Sequence, residues 1–487
     1  MSCACTLCYH SEYYGIQDVL EHPSVVSQEK VSRVRSWRTN FAFLAIGMGL
    51  SIAWNSISFA MTFVLDSFAE LPIQAYTWIL LLFFYNFPGL PMQVIQYLLL
   101  CRNEGKHSSP TNSQQRTHYA IKITICFVCL SFLVFLIPLL FLSAVNIWIS
   151  FLGILLVVFG IGCAQASAFG LVFQMGSSFS PSDYAVIPSC MAGIGVSTFL
   201  LLFLTITEQF NGSGASSSEI FIYFLPVSLV PWISIAALLL VVFQDKIIAY
   251  VKPEEASNGI ELEEKAESVL GTDQMSCCCG ENCACSTHCP ENSTVDDEKE
   301  VDELSKEEEE ENLNNSNLGH VVTFRMIMAS CLSSYSIGLV LVLFTASIPH
   351  IAEGQGENSA FFSTSVMYLQ AICLFAGNES AAFKRFIIRT SVLAVCTTVE
   401  VLLFVPIYLH GFIMTWDSLN ILLYILIGIF AFMGSYINSC SYVLAASSVQ
   451  ENFKPKAIAM LNVFLYFGYM SGLAMSAFIS VLTEMLH

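Results

Sequence analysis

Charge is what this sequence has least of. Only 12% of its 487 residues are Asp, Glu, Lys or Arg, and 19 basic residues stand against 38 acidic ones. An ordinary water-soluble domain carries about 25% charged residues, so that composition is excluded. A net charge of −19 likewise excludes the basic stripe that a nucleic-acid partner requires. The phosphate loop G-x-x-x-x-G-K-[ST] is missing, so nothing implies nucleotide hydrolysis. No motif implies an enzyme or a cofactor. Residues 1–40 are polar and hold Lys30, Arg33, Arg35 and Arg38, so no cleavable signal peptide is expected ahead of the first apolar block.

What is abundant is apolar sequence, 55% of the chain, in blocks of about 20 to 30 residues separated by short polar breaks. A helix needs roughly 20 residues to cross a hydrocarbon core about 30 Å thick. In lipid, a segment that must satisfy its own backbone polar groups is a helix. Eleven spans are expected, at about 41–65, 73–100, 121–143, 146–175, 184–207, 219–243, 322–349, 360–382, 386–409, 419–449 and 455–483. The fold class is an all-α polytopic membrane protein.

All 19 Lys and Arg residues fall before span one, in the loops after spans two, six, eight and ten, or in the first few residues of the span that follows such a loop. The opposite loops carry acids, among them Asp66, Glu70, Glu208 and Asp417. Basic residues near span ends stay in the cytoplasm, so a cytosolic N-terminus and an extracellular C-terminus are expected, in the plasma membrane. Four parts follow: a cytosolic segment 1–40, a bundle of six spans over 41–243, a cytosolic loop 244–321, and a bundle of five spans over 322–487. Between 251 and 319 the loop holds 20 acidic residues and four lysines, which accounts for most of the net charge. It is expected to be disordered and open to cytosolic partners. The triplet at Asn211 is the one glycosylation signal in a loop assigned outside.

The chain has 18 cysteines, eight of them inside spans, where a thiol acts as a small apolar group. Cys3, Cys5 and Cys8 form one cytosolic cluster. Cys277, Cys283, Cys285 and Cys289, beside His288, belong to another and are weak zinc or copper(I) candidates. Their spacing matches no C-x2-C pair of pairs. A reduced or lipid-modified segment is the preferred reading, and no metal is assigned.

Polar groups inside spans are costly unless they face a partner or a wet cavity. They recur here in "GMGLSIAWNSISF" (47–59), with Trp54 and Asn55 in mid-span, and at Gln165, Asn378, Glu379, Glu400, Asn438 and Ser439. Several spans contributing such groups point to a central polar pathway. Interhelical hydrogen bonding and glycine packing are the structural alternatives.

These residues resemble a known family, the equilibrative nucleoside transporters (solute carrier family 29). "GMGLSIAWNSISF" is similar to that family's first-helix G-x-G-x-L-L-P-W-N-x-F, with Ala53 at the proline. "QASAFGL" (165–171) is similar to its fourth-helix Q-G-S-x-x-G-L, and "PSDYAVIPSCMAGIG" to the start of its fifth. The stretch 430–482 resembles its last two helices. In the eighth helix the family's F-N-x-x-D-x-x-G-R places Ala376 at the Asn, Glu379 at the Asp and Phe383 at the Arg. The cation is therefore absent or displaced to Lys384 or Arg385, which leaves open a nucleobase, an unusual nucleoside or another polar solute. The resemblance implies a major-facilitator-like architecture of six plus five helices and facilitative movement of nucleosides or nucleobases by alternating access. It implies substrate contacts at Trp54, Asn55, Ser58, Gly89 and Met92 in the first two spans, and at Gln165, Glu379, Asn438 and Tyr469 beyond. Proton-coupled symport, with Glu379 ahead of Glu400 as the carrier, and a receptor or sensor signalling through the cytosolic loop are the alternatives.

Overall fold

The computed structural model describes residues 23–102, 112–142, 146–177, 179, 186–207, 219–243, 327–348, 351, 359–383, 387–413, 420–450 and 453–486. Among them are thirteen helices and no strand. The first half of the chain contributes α1 Pro23–Phe59, α2 Met61–Ser67, α3 Gln74–Asn86, α4 Gly89–Arg102, α5 Asn112–Leu142, α6 Ile147–Ser177, α7 Val186–Thr207 and α8 Glu219–Phe243. The second contributes α9 Ile327–Ile348, α10 Ser359–Ala382, α11 Thr390–Ile413, α12 Asn420–Ser447 and α13 Lys454–Leu486. Ten stretches of the described residues are long and apolar enough to cross a membrane. They match ten of the eleven expected spans, and the eleventh, 360–382, lies on α10.

Two expected spans are each built from two helices. Span one breaks at Ala60, where the Ser56 carbonyl accepts both the Ala60 N–H at 3.1 Å and the Tyr223 hydroxyl of α8 at 3.2 Å. That carbonyl keeps its helical partner and takes the Tyr223 hydroxyl as a second donor. Span two breaks at Phe87 and Pro88, because proline has no N–H to continue the ladder. At its N-terminal end, α1 starts at Pro23, well before residue 41, so Lys30 to Arg38 lie on the helix.

The peripheral helices show two apolar faces. On α11, Val395, Val399 and Leu402 are exposed, while Leu393, Thr397, Glu400 and Phe404 on the other side are buried. On α5, Ile121, Ile125 and Phe132 are exposed, and Ile123, Phe127 and Leu130 are buried. A helix that is apolar all round belongs in lipid.

Inside each half, glycines let two helices meet backbone to backbone. A Cβ on Gly47 of α1 would lie 1.9 Å from the Cys190 carbonyl oxygen of α7, and one on Gly193 of α7 would lie 2.0 Å from that of Leu44. The second half repeats this between α9 and α13, with Gly338 on the Leu465 carbonyl, Gly468 on that of Tyr335 and Gly472 on that of Leu339. Close approach through small residues replaces the hydrophobic drive that lipid cannot supply. The two halves then meet through α7 against α10, and through α3, α4 and α6 against α13.

Candidate functional site

The space enclosed between the halves is a cavity of about 250 Å³. It is walled by α1, α3, α6 and α7 on one side and by α9, α10, α12 and α13 on the other, with Glu400 reaching in from α11. That volume lies just below the range of about 300–1,000 Å³ usual for small-molecule sites.

Six of the nine residues that the family resemblance proposes line this cavity: Trp54, Asn55, Ser58, Gln165, Asn438 and Tyr469. Trp54 is half-buried, and two rings of α3 lie against it. Tyr85 stacks on it with ring centroids 4.0 Å apart and planes 12° from parallel, and Trp78 follows at 5.8 Å and 25°. Of the three rings, Trp54 and Tyr85 line the cavity, and Trp78 is buried outside its lining. The Trp78 N–H in turn donates to the Thr345 carbonyl of α9 at 3.3 Å, a link across the halves.

Asn55 is structurally engaged. Its Nδ2 donates to Ser197 Oγ at 2.8 Å and Thr198 Oγ1 at 3.2 Å, and Ser51 Oγ lies 2.8 Å from Ser197 Oγ. These bonds tie α1 to α7 beside the Gly47–Gly193 crossing. Four other lining atoms are buried without a hydrogen-bond partner: Ser58 Oγ, Gln165 Oε1, Glu400 Oε2 and Asn438 Oδ1. Each is able to accept a hydrogen bond. Buried polar groups in folded proteins are normally paired, and these four orphans line one cavity.

The other three resemblance-derived residues lie outside this lining. Gly89 opens α4 under the Tyr466 ring, where a Cβ would be 2.0 Å from Cε1, so it permits a contact between the halves. Met92 packs against the apolar core. Glu379 is half-buried, and its neighbour Asn378 lines the cavity instead, because successive residues turn by about 100° around a helix. Asn378 is 5% exposed, donates from Nδ2 to the Met191 carbonyl of α7 at 3.0 Å and accepts from Ser439 Oγ at 2.8 Å. It is a second link across the halves. In "QASAFGL", Ala166 and Gly170 carry packing: Gln93 of α4 donates to the Ala166 carbonyl at 2.6 Å, and a Cβ on Gly170 would lie 2.0 Å from Gln96 Oε1.

Sequence reasoning missed Tyr85 and Tyr466. Tyr85 has a visible signal, since "FFYNFPG" sets two polar side chains into an apolar run directly before a proline. Like Gln165, it lines the cavity. Tyr466 has none, being one aromatic among many on α13. No group of three or more His, Cys, Asp or Glu among the described residues could hold a metal ion. Cys277, Cys283, Cys285, Cys289 and Asn211 lie outside the described residues.

No protein-family model and no curated protein matches this chain. Solved structures do. The chain is similar to the major-facilitator proton:xylose symporter XylE bound to 6-bromo-6-deoxy-D-glucose, with 12% identity over 93% of this chain and 89% of that one and a TM-score of 0.50. A bacterial homolog of the human lysosomal transporter Spinster, captured inward-facing and unoccupied, matches at 13% identity over 92% and 83% with a TM-score of 0.46. The E. coli fucose:proton symporter FucP matches at 12% over 91% and 92% with a TM-score of 0.45. At its identity, the likeness to XylE shows a shared major-facilitator fold and carries nothing about solutes.

Proposed function

We propose that this chain is a membrane transporter that moves a compact aromatic solute by alternating access, with nucleosides or nucleobases as the leading class. The observation that carries the reading is the cavity between the two halves, with an aromatic stack on one wall and unpartnered acceptors around it. Rocking of two bundles about a central site is how such folds expose a solute to each side in turn. A base fits the Trp54–Tyr85 stack, and Gln165 and Asn438 offer amides for its edge. The resemblance to equilibrative nucleoside transporters favours movement down a gradient. In this reading the basic end faces the cytosol of a plasma-membrane protein.

The test is uptake of radiolabelled purine and pyrimidine nucleosides and bases into proteoliposomes. Saturable uptake that equilibrates without a proton gradient is expected. Binding without uptake would instead fit a receptor. Accumulation above the external concentration, collapsing with a protonophore, would make the protein a proton-coupled symporter. That second reading is favoured by the place of Glu400, which lines the cavity where Glu379 does not. Orientation is tested separately: a glycosidase-sensitive mass shift lost in Asn211→Gln fits the assignment, and glycans on Asn292 invert it.

A further inference from the structure

Glu400 is the one charged side chain among the described residues that line the cavity; no Lys, Arg or His is among them. It belongs to α11, whose opposite face carries the exposed Val395, Val399 and Leu402, yet the residue is 1% exposed. It reaches the cavity past Gly434 of α12. A Cβ at that position would lie 2.4 Å from Glu400 Oε1, so any larger residue would push the carboxyl group aside. Oε2 has no hydrogen-bond partner. A carboxylate at such depth is costly unless a cation or several donors face it. The other orphaned lining atoms, Ser58 Oγ, Gln165 Oε1 and Asn438 Oδ1, are acceptors too. Turning over either amide would bring N–H donors to the site but no positive charge.

We infer that this cavity binds aromatic organic cations, with Glu400 as their counter-ion and the Trp54–Tyr85 stack holding the ring. The inference rests on the reading of the cavity as a solute site and names the charge of what it takes. An ammonium or amidinium group supplies both the positive charge and the donors that four acceptors lack, in charge-assisted hydrogen bonds stronger than neutral ones. Aromatic walls add attraction for a cation that approaches a ring face.

The test is calorimetric binding to the purified full-length chain, using tyramine and its neutral isostere tyrosol, in which a hydroxyl replaces the ammonium. Tyramine should bind the natural protein about tenfold or more tightly than tyrosol, as expected for a buried charge pair. Glu400→Gln keeps the shape and removes the charge, and should bring the two ligands to within about twofold of one another. Gly434→Ala should weaken tyramine more than tyrosol by displacing the carboxyl group. Equal affinity of the natural protein for both ligands overturns the inference without any variant. So does binding of neither ligand, or a preference that survives Glu400→Gln. Adenosine uptake read in parallel separates the two conclusions. If adenosine does not move but tyramine binds through Glu400, the nucleoside reading falls and this one stands; uptake of adenosine with no preference for tyramine gives the reverse.

Discussion

In the first half of the molecule Gly47 and Gly193 bring α1 against α7, and in the second Gly468 and Gly472 bring α13 against α9, by the same device of a missing side chain over a carbonyl. Beside those crossings the halves part ways. Ser51, Asn55, Ser197 and Thr198 of the first half bond to one another across the crossing. In the second half, Glu400 Oε2 and Asn438 Oδ1 are left to the cavity, as Ser58 Oγ and Gln165 Oε1 are in the first, and Glu400 adds a carboxyl group that the first half lacks there. The first half thus holds the aromatic stack on a well-bonded frame, and the second supplies the only charge among the described lining residues. Scaffold is shared between the halves, and chemistry is divided.

The shared part breaks most severely. Gly47→Val and Gly468→Val each drive a side chain into backbone and should cost about 3 kcal/mol or more, read as loss of the monodisperse peak in size-exclusion chromatography. A folded Gly468→Val beside a lost Gly47→Val would end the equivalence of the two crossings. Next comes the aromatic stack. Trp54→Ala should weaken the binding of an aromatic solute by about 1–3 kcal/mol, and Trp54→Phe by less, while the protein still reaches its membrane. Normal uptake by the Ala variant would reduce Trp54 to packing.

The divided part gives a smaller and sharper contrast. Asn55→Ala removes two interhelical hydrogen bonds, worth about 0.6–1.7 kcal/mol each in membrane bundles, and should lower thermal stability. Asn438→Ala removes an oxygen with no partner, so stability should hold while KM rises several-fold. The opposite pattern would exchange the roles assigned to the two amides. Smallest of all is deletion of residues 254–315. With enough chain kept to join the halves, KM should stay within about twofold, and a larger change would make the loop part of the site.

The span count was legible because bilayer thickness imposes a length on every apolar block, and the structure places a helix over each of the eleven. The breaks at Ala60 and Phe87 were less so. Proline announces the second, whereas no local pattern marks the first. Within the site, Trp54, Gln165 and Asn438 stood out as polar or amphipathic groups in apolar runs. The sequence could not show that Asn55 and Gly89 serve contacts between helices, since spacing alone does not say which neighbour a helix face meets. Glu379 and Glu400 were visible as carboxyl groups. Their ranking needed Gly434, an absence on another helix, to show which one reaches the cavity.

The hydrogen bond from Trp78 to the Thr345 carbonyl has an optical consequence. Indole emission responds to whether its N–H is bonded and to which rings lie against it, and Trp78 is bound to the second half while it stacks with Trp54 of the first. Any separation of the halves at that point breaks the bond, while both rings of the stack stay in the first half. The chain has six tryptophans. With the four others replaced, the molecule would carry its own fluorescent gauge of opening, legible in real time without an attached dye.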